Sequence, residues 1–197
     1  MSISYYDQNA DAFVSGTLNV QMQSLYDQFL PRLAAGSHIL DAGCGSGRDS
    51  HHFLLHGFKV TALDASWSLV QHARQLTGLP VLHCRFDAFI AEQPLDAIWA
   101  CASLLHVPHD DLARVMRHLA NQLRPGGLFY CSFKYGVGEV MRDGRHFTNL
   151  DESGLVSLIH GMSLQIVATW QSADLRPGRE GEYWLNALLQ RQDVTDE

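Results

Sequence analysis

The sequence predicts an α/β protein whose sheet is doubly wound, mostly parallel and seven-stranded. A short β-prone run at 38–40 leads into glycines at 43, 45 and 47 and then into a helix over 48–56. Strands and helices alternate from there to a fifth strand at 128–134. The last two strands, at 164–172 and 183–190, are joined without a helix. They therefore predict an antiparallel strand at one edge of the sheet.

The other elements follow from hydrophobic periodicity. We expect a helical segment over 1–36, strands at 59–64, 81–86 and 95–101, and helices from near 66, over 110–123 and over 151–160. Two loops rich in charge, at 135–150 and 173–182, complete the chain. A length of 197 residues suits a single domain over 1–197. This domain would have a helical N-terminal segment (1–36), a core (37–134) and a C-terminal part of loops and edge strands (135–197).

Composition limits the functions to be considered. The chain is 46% apolar and has a formal net charge of −7, so it lacks the basic footprint of a nucleic-acid-binding protein. We expect no signal peptide, and no apolar run approaches the roughly 20 residues of a membrane helix. Cysteines 44, 84, 101 and 131 are widely spaced and, like the histidines, show no metal-binding pattern. We therefore predict a cytoplasmic protein without a metal.

The glycine-rich turn at 43–47 predicts the ligand. A strand, a tight glycine turn and a helix form a nucleotide-binding corner. A dinucleotide fingerprint requires a glycine three residues after Gly45, where Arg48 stands instead. Asp41, before the first glycine, would face a positive ammonium or sulfonium group. The run Leu-Asp-Ala-Gly-Cys-Gly-Ser-Gly at 40–47 resembles the first motif of the class I S-adenosylmethionine (SAM)-dependent methyltransferases.

Other segments extend this resemblance over about 36–190. Leu-Arg-Pro-Gly-Gly at 123–127 precedes a strand, as it does in that family, and a Tyr-Tyr-Asp segment lies near the N-terminus. The resemblance implies the Rossmann-like methyltransferase fold. The sequence is similar to small bacterial members of the family, including the tellurite-resistance group, although the substrate residues of that group do not map onto it. The segment after the fourth strand lacks the Asn/Asp-Pro-Pro-aromatic motif of DNA-methylating enzymes, so a small-molecule substrate is expected.

The resemblance also implies the cofactor contacts. Asp64, 19 positions after Gly45, is expected to bind the ribose diol, with capping of the next helix as the alternative. Asp87 would accept from the adenine amino group, or else cap a short turn. Arg48 would bind the methionine carboxylate, or else lie on the helix surface. The complete expected set is Asp41, Gly43, Cys44, Gly45, Arg48, Asp64, Ala65, Phe86, Asp87, Ala88, Ala102 and Ser103.

The substrate side is less defined. His106 has three interpretations: general base, substrate contact or structural residue. Tyr6 and Phe13 would close over the site as a lid, or simply pack on the core. The loop arginines, expected either to bind an anionic substrate or to pair with loop carboxylates, are Arg142, Arg145, Arg176 and Arg179.

These observations predict a SAM-dependent methyltransferase that acts on a small molecule by in-line transfer, as a monomer or homodimer. S-adenosylhomocysteine (SAH) would be the product of the cofactor. Two alternatives remain: a SAM-binding module without enzymatic activity, and an NAD-dependent oxidoreductase, from which the chain departs at Arg48.

Overall fold

A computed structural model describes residues 2–174, 176, 178–179 and 181–193. Its main feature is a seven-stranded sheet in the order β3-β2-β1-β4-β5-β9-β8. Strands β1 to β5 pair in parallel, whereas β9 runs antiparallel to both β5 and β8. The predicted mostly parallel sheet with an antiparallel pair at one edge is confirmed.

The bounds of the elements agree with most of the sequence-based expectations. The helices are α1 (Ser2–Gln8), α2 (Ala10–Thr17), α3 (Gln23–Phe29), α4 (Arg48–Leu55), α5 (Trp67–Thr77), α6 (His109–Ala120) and α7 (Glu152–Ile159). The strands are β1 (His38–Ala42), β2 (Lys59–Asp64), β3 (Leu82–His83), β4 (Leu95–Ala100), β5 (Leu123–Lys134), β6 (Gly138–Arg142), β7 (Arg145–Asn149), β8 (Leu164–Ala173) and β9 (Tyr183–Arg191). None of the described helices is long and apolar enough to cross a membrane.

Helices cover both faces of the sheet because the central strands are apolar on both sides. Neighbouring residues of β1 show this: Leu40 packs in a core with α6 and α7, and Ile39 packs in another with α3 and α4. Trp99 of β4 stacks on Tyr130 of β5 with ring centroids 4.0 Å apart, on the α3 side. The two cores hold the carboxyl ends of β1, β2 and β4 side by side, which positions the site.

Three segments differ from the expectation. The fifth strand, expected over 128–134, begins at Leu123, which pairs with Leu95 of β4. The third strand, predicted over 81–86, is only Leu82–His83, because it lies at the sheet edge and pairs with β2 alone. The predicted loop at 135–150 contains the antiparallel hairpin β6–β7. Asp143 and Gly144 both have positive φ angles (50° and 73°), as a type I′ hairpin turn requires.

The N-terminal segment contains three short helices, of which α3 packs in the core and α1 docks by polar contacts. The Asp7 carboxylate accepts a hydrogen bond from the Ser66 hydroxyl (2.6 Å) at the start of α5. The Ser2 hydroxyl accepts from the backbone N–H of His146 in β7 (3.0 Å). Helix α1 therefore bridges the loop after β2 and the β6–β7 hairpin.

Candidate active site

The glycine turn after β1 has a conformation that side chains resist. Gly43, Gly45 and Gly47 all have positive φ angles (79°, 55° and 82°). A Cβ atom on Gly43 would lie 2.5 Å from the Cβ of Ser103, and one on Gly45 would lie 3.2 Å from the ring of Phe13. The turn is therefore packed against the loop after β4 on one side and against α2 on the other.

Asp64, at the end of β2, fixes this turn. Its carboxylate accepts hydrogen bonds from the backbone N–H of Gly45 (2.9 Å) and of Ser66 (2.8 Å). Burial raises the pKa of Asp64, and these backbone donors oppose the shift. Helix α5 is capped by the Ser66 hydroxyl, which accepts from the Leu69 N–H (3.3 Å), so the alternative capping role of Asp64 belongs to Ser66. Each carboxylate oxygen of Asp64 keeps a lone pair for a further donor.

Asp41, by contrast, lies beneath the turn. It is 2% exposed, accepts a hydrogen bond from the Ser50 hydroxyl (2.6 Å) and lines neither of the cavities described below. Burial, reinforced by the charge of Asp49, raises the pKa of Asp41. The expected direct contact of Asp41 with a cationic group is therefore corrected to a supporting role, because its side chain is covered by the first turn of α4.

Asp49, unlike Asp41, lines the first of these cavities, and sequence reasoning missed it. It accepts from the Tyr26 hydroxyl (2.6 Å) and the Trp99 indole N–H (2.8 Å). Arg48 donates to both of its oxygens (2.6 and 3.1 Å) and to the Thr17 carbonyl (3.1 Å). Burial opposes ionisation of Asp49, but Arg48 and the two aromatic donors lower its pKa. Its partners lie up to 50 positions away, so only its place in the first turn of α4 could have indicated it.

Two cavities, of about 220 and 430 Å³, adjoin the glycine turn. The first extends from Cys44 and Arg48 to the loop after β8, and the second extends from Asp64 along α6. The residues that line both are Tyr6, Phe13, Gly43, Gly45, Ala102 and His106. These two cavities are thus halves of one cleft at the carboxyl ends of the parallel strands, where open α/β sheets bind ligands.

The second cavity holds most of the residues expected around the adenosyl group. Those that line it are Asp64, Ala65, Phe86, Asp87 and Ser103, whereas Ala88 lines neither cavity. Asp87 pairs with Arg85 (3.3 Å) and Arg114 (3.5 Å). Burial opposes its ionisation, but the two arginines lower its pKa. Ala88 ends the 3₁₀ turn Phe86–Ala88, and the expected contact is therefore limited to the first two residues of this turn.

The loop after β4 presents backbone groups where the cavities meet. Ala102 has a positive φ angle of 50°, which is rare for alanine, and its N–H donates to the Ser132 hydroxyl (2.8 Å). The Ser103 hydroxyl donates to the Ala42 carbonyl (2.7 Å). Backbone strain of this kind concentrates at functional sites, since packing must maintain it.

His106 connects the N-terminal segment to the core. Its Nδ1 lies 2.7 Å from the His146 carbonyl, and its Nε2 lies 2.8 Å from the Tyr6 hydroxyl. A carbonyl only accepts, so Nδ1 carries the proton and the Tyr6 hydroxyl donates to Nε2. Burial lowers the pKa of His106 to about 4, with Arg145 and His146 adding to the shift. A base of this pKa is a weak proton acceptor at neutral pH, which favours the structural interpretation over general base catalysis.

The four loop arginines occupy different environments. Arg142 pairs with Glu182 (3.0 Å) and lines neither cavity, so the structure does not place it with the others. Arg176 donates to both oxygens of Asp174 (2.9 and 2.6 Å). Arg179 lies 3.3 Å from Glu182. Arg145, Arg176 and Arg179 line the first cavity. Glu180, another carboxylate of the loop at 173–182, lies outside the described residues.

Comparison with known proteins relates the segment that carries the site to a family. Residues 39–127, which carry the glycine turn, Asp64, Asp87 and the loop after β4, match the family model described as a methyltransferase domain. This segment of the chain is similar to the methyltransferase domain family. The expected class I methyltransferase fold is confirmed, and the tellurite-resistance subgroup stays a prediction.

Curated relatives of the methyltransferase domain are O-methyltransferases. One is the O-methyltransferase resE of Aspergillus sclerotiorum, 31% identical over 121 residues, which are 56% of this chain and 45% of the relative. Another is the ubiquinone biosynthesis O-methyltransferase of Coxiella burnetii, 33% identical over 103 residues, which are 49% of this chain and 43% of the relative. The chain thus spans less than half the length of the curated relatives it matches.

A solved structure shows the same fold over nearly the whole chain. It is the 1,6-didemethyltoxoflavin-N1-methyltransferase of Burkholderia thailandensis, with its substrate and SAH bound. The TM-score is 0.77 at 21% identity, and the match covers 98% of this chain and 86% of the other. It confirms the expected Rossmann-like methyltransferase fold, and SAM as the cofactor of this chain is part of the function proposed below.

Proposed function

We propose that this chain transfers a methyl group from SAM to a small-molecule acceptor. The observation that carries the proposal is the hydrogen bond from the Gly45 N–H to the Asp64 carboxylate (2.9 Å). It joins the end of β2 to the glycine turn at the place where the two cavities meet. The Asp64 carboxylate can accept hydrogen bonds from a ribose on one side of this contact, and the glycine turn exposes its backbone to a ligand on the other side. This arrangement supports a cofactor that lies across the turn with its halves in different cavities.

The residues present fit SAM. Gly43 leaves no room for a Cβ, and Asp64 is a half-buried carboxylate with free lone pairs beside the second cavity. Asp64 would hold the ribose, Phe86 and Asp87 the adenine, and Arg48 with the backbone near Cys44 and Ala102 the amino acid half. SAM supplies the methyl group as an electrophile bound to a positive sulfur.

The protein contributes positioning and exclusion of water. Tyr6 and Phe13 line both cavities, so the N-terminal segment would cover the reacting atoms. The acceptor would lie in the first cavity, on the side of Arg145, Arg176 and Arg179. The names of the curated relatives favour oxygen as the acceptor atom, and the tellurite-resistance group would use a metalloid. An assay with different acceptors distinguishes these atoms.

The test is formation of SAH from SAM with phenols, amines, thiols and tellurite as separate acceptor pools. We expect SAH to accumulate with one pool and with no other. A protein that binds SAM yet forms no SAH with any pool would support the SAM-binding module instead. Size-exclusion chromatography with light scattering tests the prediction of a monomer or homodimer in the same samples.

A further inference from the structure

We propose that the methyl acceptor carries an anionic group, such as a carboxylate, that binds Arg145 in the first cavity. This inference rests on the proposed function and adds the substrate class to it. The arginines of the two loops differ in how well their charge is balanced. Within the described part of the chain, the charge of Arg145 is balanced only by an exposed carboxylate 3.4 Å away.

Arg145 is buried but poorly paired. Its residue is 7% exposed, and its Nε atom has no hydrogen-bond partner among the residues that the structure describes. Its ion-pair partner, Asp143, lies 3.4 Å away with a side chain that is 63% exposed. A pair of that length with an exposed carboxylate is weak. Arg176, in contrast, shares the buried Asp174 carboxylate with Lys134 at 2.6 Å each.

Two aromatic rings pack against the guanidinium of Arg145. The ring of Tyr5 lies 4.5 Å from its Cζ, and the ring of Phe147 lies 5.3 Å away. Aromatic faces stabilise the cation without using its in-plane N–H donors. The Tyr6 hydroxyl accepts from the guanidinium, but it is uncharged and does not balance the positive charge. Because Tyr5 belongs to α1, the N-terminal segment contributes to the enclosure of the cation.

Burying an arginine with an unused donor costs free energy unless a ligand supplies the acceptor. Arg145 lines the first cavity together with the aromatic side chains of Tyr6, Phe147 and Trp184. This combination suits a flat, apolar molecule with a carboxylate, held by a planar guanidinium. The cofactor carboxylate is the competing occupant, but Arg48 lies beside the glycine turn, whereas Arg145 lies on the β6–β7 hairpin.

The probes are benzoate and benzamide, which share shape and differ in charge, titrated into the SAH-saturated protein. We expect the wild type to bind benzoate at least about tenfold more tightly than benzamide. The variant Arg145→Gln should lose this preference and keep wild-type affinity for SAH. Arg142→Gln is the matched control, since Arg142 lies on the same hairpin and lines neither cavity; it should behave as wild type in both titrations.

Three results would overturn the proposal. In the first, the wild type binds benzoate and benzamide equally well or binds neither. In the second, the preference for benzoate survives in Arg145→Gln. In the third, Arg145→Gln loses affinity for SAH. The last would assign Arg145 to the cofactor. Failure of the wild type to bind SAH at all would instead contradict the proposed function, so the two failures are distinguishable.

Discussion

At the scale of single residues, polar side chains that are buried or half-buried define the site. Asp64 accepts a hydrogen bond from the glycine turn, and Asp49 accepts hydrogen bonds from Arg48 and from Trp99 in the aromatic core. His106 accepts a hydrogen bond from the Tyr6 hydroxyl. Each of these groups is satisfied within the protein, so the site is organised before a ligand arrives.

The first prediction concerns Asp64. Replacement by Ala removes acceptors from a ribose diol and costs on the order of 1.5–3 kcal/mol, so the affinity for SAH should fall about tenfold to hundredfold. Asp64→Asn keeps one acceptor oxygen of similar shape and should lose less. Calorimetric titration measures both, with circular dichroism as the check on folding. A folded Asp64→Ala variant with wild-type affinity would show that Asp64 does not contact the ribose.

The second prediction concerns His106. Because burial lowers its pKa from 6.5 to about 4, the folded protein binds fewer protons than the unfolded chain between those pH values. Stability from this group is therefore complete above pH 6.5 and is lost as the pH falls toward 4. Relative to His106→Asn, the wild type should lose about 3 kcal/mol of unfolding free energy across this window.

Urea unfolding of the wild type and of His106→Asn, at several pH values between about 4 and 7.5, provides the measurement. The difference between the two removes contributions from other histidines. A constant difference over the whole range would mean that His106 titrates alike in the folded and unfolded states.

At the scale of elements, α1 and the β6–β7 hairpin close over the cleft. Tyr6 of α1 donates to His106, Tyr5 covers Arg145, and Ser2 accepts from His146. None of these contacts joins neighbours in sequence. The sequence alone therefore allowed two interpretations of the aromatic residues in the N-terminal segment, a lid or packing on the core. The hairpin had a local signal, Asp143-Gly144, but the charged residues around it favoured a loop.

The third prediction tests this closure by hydrogen exchange. Backbone amides of residues 2–17 and 138–149 should exchange more slowly when SAH is bound. In the free protein, Tyr6→Phe should speed exchange of residues 2–17, because the hydrogen bond to His106 is lost. Tyr5→Phe keeps the ring over Arg145 and serves as the control. Protection confined to residues 41–103 would contradict a lid.

At the scale of the whole molecule, the parts that could be predicted are those with local signals. The parallel strands β1, β2 and β4 were predicted almost to the residue because buried parallel strands form continuous apolar runs between glycines and helices. The edge strand β3 was overestimated, since a strand with one neighbour is limited by pairing that its own sequence does not show.

The same distinction applies to the site. Asp64 and Gly43 follow from motif spacing, whereas Asp49 depends on Tyr26 and Trp99, and Arg145 depends on Tyr5 and Phe147. The methyltransferase domain match ends at residue 127, before β6–β7 and the loop after β8. The cofactor half of the cleft was therefore more predictable than the half that would select the substrate.

Calorimetric titration of the purified wild-type chain with SAM, SAH and NAD tests the central claim most directly. The account predicts that SAM and SAH each bind at one site per chain and that they compete, while NAD shows no binding. Binding of NAD without binding of SAM or SAH would contradict it.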